Sequence, residues 1–270
     1  MGRGLVAALW AFAELLITFA LCALLFVGWY DFYNPWVVGV HQQATAAEQS
    51  RLLSRQIAAS AAPSAPSRPA GQAMPSAPAG SPSPAPLGAA PAHAAPSNVP
   101  VMAEPGRVAA PIGVIYIPRL GDDWRRIVRE TVDTERVLNS VTAGVGHYEG
   151  TAMPGGMGNF AVAAHDIGYG NSFLKLSTLR LSDKIYVQTA QGWYTYTFRN
   201  FQFVQPSAVD VINAVPAVSK TATTDRLMTL TTCYPAVFPP LERAIAYAEF
   251  EGFDTAAPAA LASILAKDGS

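Results

Sequence analysis

The sequence is poor in cysteine and in charge, and it has no surplus of basic residues. It holds 2 cysteines in 270 residues, 14% of its residues are charged, and its formal net charge is −1. Without a basic surplus there is no electrostatic footprint for nucleic acid. The densest basic group, between residues 119 and 129, is interrupted by Asp122, Asp123 and Trp124 and reads as a solvated surface. No GxGxxG or P-loop spacing occurs, so no nucleotide cradle is expected. Cys22 lies inside an apolar run and Cys233 near the end of the folded region. If Cys22 sits in a bilayer and Cys233 outside it, the two cannot pair, which leaves Cys233 a free thiol. A lone thiol in an oxidising compartment points to reactivity. With one usable cysteine and two histidines, His147 and His165, in the folded region, no dense metal-ligand set is legible. Neither a metal nor another cofactor is expected.

What the chain does have is apolar residues, at 50% of the total. Two special regions inflate that figure. The first is the 26-residue run 5–30, LVAALWAFAELLITFALCALLFVGWY, in which Glu14 is the only charge. About 20 such residues cross the hydrocarbon layer as a helix. Trp29, Tyr30, Tyr33 and Trp36 at its end resemble an interfacial aromatic belt. A cleaved signal peptide has a core of about 7–15 residues followed by small side chains. This run is longer and ends in bulky aromatics, so it reads as a retained, single-pass membrane anchor. Arg3 favours residues 1–4 on the cytoplasmic side.

The second region, residues 61–105, is almost entirely Pro, Ala, Ser and Gly. It cannot bury enough surface to offset the entropy of ordering, so it reads as a disordered, extended spacer. His93 lies within it and is a poor catalytic candidate. Residues 42–57, free of proline and rich in helix formers, extend a helix. Together, residues 31–110 read as an extracellular juxtamembrane segment and linker. A fragment beginning at residue 106 is expected to be a soluble, active domain.

About 140 residues remain, a usual size for one domain. The domain is placed at 111–254, with 255–270 as a tail. Short strands dominate: GVIYIP at 113–118, NFAVAAH at 159–165, RLMTLTTC at 226–233 and RAIAYAEF at 243–250. Residues 183–206 read as two strands joined at Gln191-Gly192. In the second of these, Trp193, Thr195 and Thr197 share one face, and Tyr194, Tyr196 and Phe198 the other. Residues 134–140 and 207–211 read as helical turns. The fold class is mainly β, a barrel with short helices.

Cys233 ends a threonine-rich strand, on the same face as Thr229 and Thr231. His165 ends another strand, and Arg243 opens the strand after the cysteine loop. If these three strands adjoin, their ends bring together a thiol, an imidazole and a guanidinium. A thiolate is the attacking species, and a free cysteine titrates at about 8.5. A histidine can take the thiol proton and return one to a leaving amine. A guanidinium can stabilise a developing carbonyl anion or hold the substrate backbone. By residue type alone, a lone strand cysteine is more often a small buried apolar residue.

The motifs shift that balance. TLTTC at 229–233, with Arg243 ten positions on, resembles the sortase motif TLxTC and its following arginine. HYEGTAMPGGMGNFAVAAH at 147–165 resembles the segment leading to the sortase histidine. IPRLGDDW, GHYEGTAMPG and TLTTCYP are similar to class E sortases of high-GC Gram-positive bacteria, and the resemblance spans residues 112–251. It implies an eight-stranded sortase-like β-barrel. It also implies cleavage of a C-terminal LAxTG- or LPxTG-type sorting signal between Thr and Gly through a thioacyl enzyme. The acceptor would be an amine of the peptidoglycan precursor (lipid II) or a pilin lysine. The matched catalytic residues are Cys233, His165 and Arg243. Thr232 matches a position that contributes to the substrate site or oxyanion hole. Tyr169 and Asn171, in DIGYGNSF, fall where the family has TYGxPF and are substrate-binding candidates. The implied partners are secreted proteins bearing sorting signals, with the domain outside the cell membrane.

Two features depart from or stand beside this pattern. Asp166 follows the histidine where the family often has an arginine, which puts an anion beside the site. His147, in GVGHYEG, matches a family position too, and a structural or peripheral role is favoured for it. L,D-transpeptidases also pair Cys with His, but close together in an SHGC-like motif, whereas here the two stand 68 positions apart. A membrane-anchored, non-enzymatic β-barrel binding module with a buried cysteine is the remaining alternative.

Overall fold

In a computed structural model of the chain, residues 2–61, 98–218, 222–237 and 239–267 are described. The part of the spacer at 62–97, with His93, lies outside them.

The apolar run forms helix α1, Gly2–Gly28, with no buried residue. Among the described residues this is the one helical stretch long and apolar enough to cross a membrane, and it continues to Ala61. Continuity requires an adjustment at Pro35, which has no backbone N–H to give. The chain makes one π-helical turn, Trp29–Tyr33, closed by Asn34 N–H to the Trp29 carbonyl. Helix α2, Asn34–Ala61, follows.

α2 does not stand free. Its buried residues, among them Val38, Gln42, Ala46, Ser50, Leu53 and Ile57, recur every three or four positions and form one stripe. That stripe lies against the barrel strands. Its middle, Gln42, Ala46, Ala47 and Ser50, is small or polar, which is why composition marked a helix there but no buried face.

Eight strands close the barrel: β1 Pro111–Tyr116, β2 Arg125–Glu130, β3 Gly144–His147, β4 Gly158–Ala164, β5 Lys184–Gln188, β6 Trp193–Val204, β7 Arg226–Tyr234 and β8 Glu242–Asp254. Their order around the barrel is β1-β2-β3-β4-β7-β8-β6-β5. The β2–β3 and β4–β7 pairings are parallel. The remaining pairings are antiparallel. Strands β2 and β3 were not anticipated. RRIVRE carries three arginines or glutamates among its buried positions, and GVGH is short and glycine-rich, so neither shows an apolar alternation. The expected helical turns appear at Thr134–Leu138 and Val209–Ile212.

The barrel interior is filled by Ile115, Val128, Phe160, Val162, Tyr194, Tyr196, Phe198, Met228 and Leu230. Tyr194, Tyr196 and Phe198 thus form the inner face of β6, as the alternation predicts. Trp193 points outward into a second apolar cluster, with Val114, Tyr116, Ile127 and Tyr186. That cluster is covered by Ala46, Leu53 and Ile57 of α2 and by Leu261 and Ile264. The last two belong to a short C-terminal helical segment, Ala259–Leu261 and then α3, Ala262–Ala266. Helix α2 and the C-terminal helical segment therefore seal the same outer face.

Candidate active site

The ends of β4, β7 and β8 come together because these strands are neighbours. β4 pairs in parallel with β7, with Ala163 opposite Thr231. β7 pairs antiparallel with β8, with Cys233 opposite Arg243. His165 follows β4 by one residue. Strand alternation puts Phe160, Val162, Met228 and Leu230 inside, so Thr229, Thr231, Cys233 and Arg243 leave the sheet on its outer face. Lower down, Val211 covers that face: its carbonyl accepts from Asn159 Nδ2 at 3.4 Å and Thr229 Oγ1 at 3.5 Å. The strand ends stay open, with Cys233, His165 and Arg243 each half-buried.

Cys233 is a free thiol. Burial pushes its pKa up; the Arg243 guanidinium opposes this, and the Asp166 carboxylate adds to it. Burial pushes the His165 pKa down, with Asp166 pulling the other way. Asp166 therefore does raise the imidazole's affinity for its proton, but burial wins. Both groups favour their neutral forms, thiol and imidazole. Asp166 is itself buried: its Oδ1 accepts from Ile167 N–H at 2.8 Å, while Oδ2 has no hydrogen-bond partner. Burial raises its pKa as well.

The imidazole is held on two sides. Its Nε2 lies 2.9 Å from Asn139 Oδ1. Asn139 Nδ2 donates to Glu135 Oε1 at 3.3 Å, which orients the amide so that its oxygen faces the ring. Nε2 then carries the hydrogen and Nδ1 the lone pair. On the other side, the Tyr169 ring sits 5.4 Å from the His165 ring, centroid to centroid. Sequence reasoning missed Asn139. It lies 26 positions from His165 in a turn of unrelated sequence, and nothing local signals the contact.

The other sequence candidates take different places. Thr232 is on the inner side of β7, and its hydroxyl donates to the Ala164 carbonyl at 2.9 Å, tying together the strand ends that carry Cys233 and His165. Asn171 uses its Oδ1 to accept from Gly168 N–H at 2.8 Å, which shapes the loop after His165. Tyr169, exposed, presents its ring beside the site.

His147 stands apart and is fully buried. Its Nδ1 is 3.2 Å from both Glu130 carboxylate oxygens, and Nε2 is within 3.2 Å of Thr151 Oγ1 and the Ala152 carbonyl. Ligand atoms of Glu104, Glu130 and His147 do converge within 4.8 Å of one another. Both ring nitrogens are already engaged, however, so the group reads as a self-satisfied buried pair.

With this geometry in place, the chain can be set beside known proteins. The sortase domain model matches residues 115–251. Sortase SrtE1 of Streptomyces coelicolor is 34% identical over 128 residues, which is 45% of this chain and 35% of that protein. This chain spans about half or less of the length of the curated relatives it matches. Among solved structures, the SrtA sortase from Actinomyces oris is similar with a TM-score of 0.57 at 31% identity, covering 62% of this chain and 96% of that one. Sortase E1 from Streptomyces coelicolor, solved with a tripeptide in its active site, gives a TM-score of 0.51 at 29% identity, over 56% of this chain and 96% of that one. The closed barrel, the motif-bearing strands and these matches agree: the chain belongs to the sortase family and sits with the class E sortases.

Proposed function

We propose that this protein is a membrane-anchored cysteine transpeptidase that cleaves a sorting signal of LAxTG or LPxTG type between Thr and Gly. The observation that carries the reading is the pairing of Cys233 with Arg243 on the open outer face, beside the end of the strand that delivers His165.

In the first half-reaction, the Cys233 sulfur attacks the Thr carbonyl carbon as its proton moves to the His165 lone pair. The Arg243 guanidinium stabilises the negative oxygen of the tetrahedral intermediate. The Thr–Gly C–N bond then breaks, and the imidazolium returns the proton to the departing glycine amine. A thioester to Cys233 remains. In the second half-reaction, an acceptor amine gives a proton to His165 and attacks that carbonyl; the C–S bond breaks, and the departing thiolate takes the proton back from the imidazolium. The acceptor is an amine of the peptidoglycan precursor or a pilin lysine. The substrate-binding roles of Tyr169, Asn171 and Thr232 rest on the motif resemblance. Tyr169 is supported further by its exposed ring against His165. Helix α1 holds the enzyme in the cell membrane as a single span, with the domain outside.

Incubating the full chain in detergent with LAxTG and LPxTG peptides and a nucleophilic amine tests this. Mass spectrometry should show cleavage between Thr and Gly and a new amide to the amine. Intact peptide under every condition would refute the reading.

A further inference from the structure

We propose that Gln42, on the membrane-proximal helix α2, is a positioning residue for His165, so that the helix rising from the membrane holds the catalytic imidazole in place. The inference rests on His165 being the proton partner of Cys233, as proposed above.

Gln42 is wholly buried, an unusual place for a polar side chain on a helix beside a membrane segment. Its amide is fully employed. Nε2 donates to the Ser140 carbonyl at 2.8 Å and to the Tyr169 carbonyl at 2.9 Å, and Oε1 accepts from Ser172 Oγ at 3.1 Å. Those partners come from two separate loops, and each loop touches His165. Ser140 adjoins Asn139, whose Oδ1 meets His165 Nε2. Tyr169 lays its ring against the imidazole. One side chain thus fixes the backbone next to both of the imidazole's neighbours.

A second observation shows that the pocket is cut to this amide. Gly144, at φ +85°, and Gly170, at φ +90°, flank it. A Cβ on Gly144 would lie 2.6 Å from Gln42 Nε2, and one on Gly170 2.2 Å from Gln42 Oε1. Neither approach is tolerable, so both positions must be glycine for Gln42 to enter. The helix also comes close at Gly39, where a Cβ would sit 3.2 Å from the Gly170 carbonyl. Beneath, the buried Arg126 guanidinium joins the same parts. It donates to Ser172 Oγ at 3.2 Å, to the Gly170 carbonyl at 3.2 Å and to Gln43 Oε1 at 2.8 Å. A networked buried amide of this kind fixes one loop arrangement over its alternatives.

The test uses the full chain in phospholipid nanodiscs, an LAxTG peptide with an amine, and ¹⁵N-histidine labelling, with the His165 signals assigned by their loss in His165→Gln. Gln42→Leu keeps the volume and removes all three hydrogen bonds. It should lower kcat about tenfold or more through misplacement of the imidazole, with KM changed by less than about twofold, and it should shift the His165 ring signals. Leu53→Ala, on the same buried stripe, should lower Tm yet leave kcat and the His165 signals at wild-type values. Wild-type kcat and unshifted signals in Gln42→Leu would overturn the inference. An equal loss in Leu53→Ala would do the same, because the effect would then be general to the helix. If Gln42→Leu does not fold, Gln42→Asn, whose amide falls one methylene short, is judged by the same criteria. The two proposals fail differently: turnover in His165→Gln defeats the catalytic reading, whereas an inactive His165→Gln beside a fully active Gln42→Leu defeats only this one.

Discussion

Cys233 and Arg243 are direct partners across the β7–β8 ladder, so thiol and guanidinium leave the sheet on the same face. In the proposed mechanism the pairing puts a permanent cation where negative charge grows during acyl transfer, and the Arg243 charge already opposes the upward push of burial on the thiol. Arg243→Lys keeps the charge and loses the planar fork. Peptide cleavage by this variant is expected to fall about 100-fold or more in kcat/KM, a usual cost of losing one transition-state donor. An unchanged value would remove Arg243 from the mechanism.

The pH profile follows from burial. The His165 pKa is pushed below its ordinary 6.5 and the Cys233 pKa above its ordinary 9.0. By the proposed mechanism, cleavage needs an imidazole free to take the thiol proton and a proton left to give the leaving amine. The rate should therefore hold over a broad plateau, falling on the acid side below 6.5 and on the alkaline side above 9.0. The Asp166 carboxylate raises both pKa values. Asp166→Asn removes that pull and should move both limbs to lower pH, as read from kcat/KM between acid and alkaline extremes. Limbs that move apart or stay fixed would contradict the electrostatic account.

Asp166 also carries a stability prediction. Its folded pKa lies above its ordinary 3.8, so folding favours the protonated carboxyl and the ionised form costs stability as pH rises. Asp166→Asn should thus have a higher Tm than the wild type at neutral pH, with the gap closing toward pH 3.8 and below.

The Glu130–His147 pair is an internal brace of the barrel, with side chains only 2% and 0% exposed. Removing one partner of such a pair leaves a buried polar group without its complement. Glu130→Ala is expected to lose about 1–3 kcal/mol in denaturant unfolding, the cost of a buried polar group left without its partner. A loss below about 1 kcal/mol would show that His147 finds other support.

Helix α2 bears on where the folded unit begins. Composition places the domain start at 111 and lets a fragment from 106 stand alone. Yet α2 covers Val114, Tyr116, Ile127, Tyr186 and Trp193 on the barrel's outer face. A chain starting at residue 34 should be soluble and active, whereas one starting at 106 should expose that cluster, bind apolar dyes and aggregate. Equal Tm and turnover in the two would show the helix to be dispensable.

These points mark what a sequence can and cannot reveal. The strands that carry the site were legible because β4 is an apolar run, β7 alternates Met228 and Leu230 with Thr229 and Thr231, and β6 alternates cleanly. Their adjacency followed only from the TLTTC and His165 motifs taken together. β2 was hidden because its buried positions include Arg125, Arg126 and Glu130, the last two held by side-chain bonds to distant segments rather than by apolar character. α2 was legible as a helix but not as part of the fold, since Gln42, Ala46 and Ser50 make a buried face without an apolar signal. Asn139 and Gln42 were invisible as neighbours of the site because their bonds join distant segments.

The central claim is that the Cys233 sulfur carries the acyl group. The direct measurement is intact-mass and peptide-mapping analysis of the chain quenched in acid after brief exposure to an LAxTG peptide without an amine. The account predicts added mass equal to the peptide up to its threonine, on the fragment containing Cys233, and none in Cys233→Ala. An adduct on Cys22 or any other residue, or peptide cleavage that persists in Cys233→Ala, would contradict it.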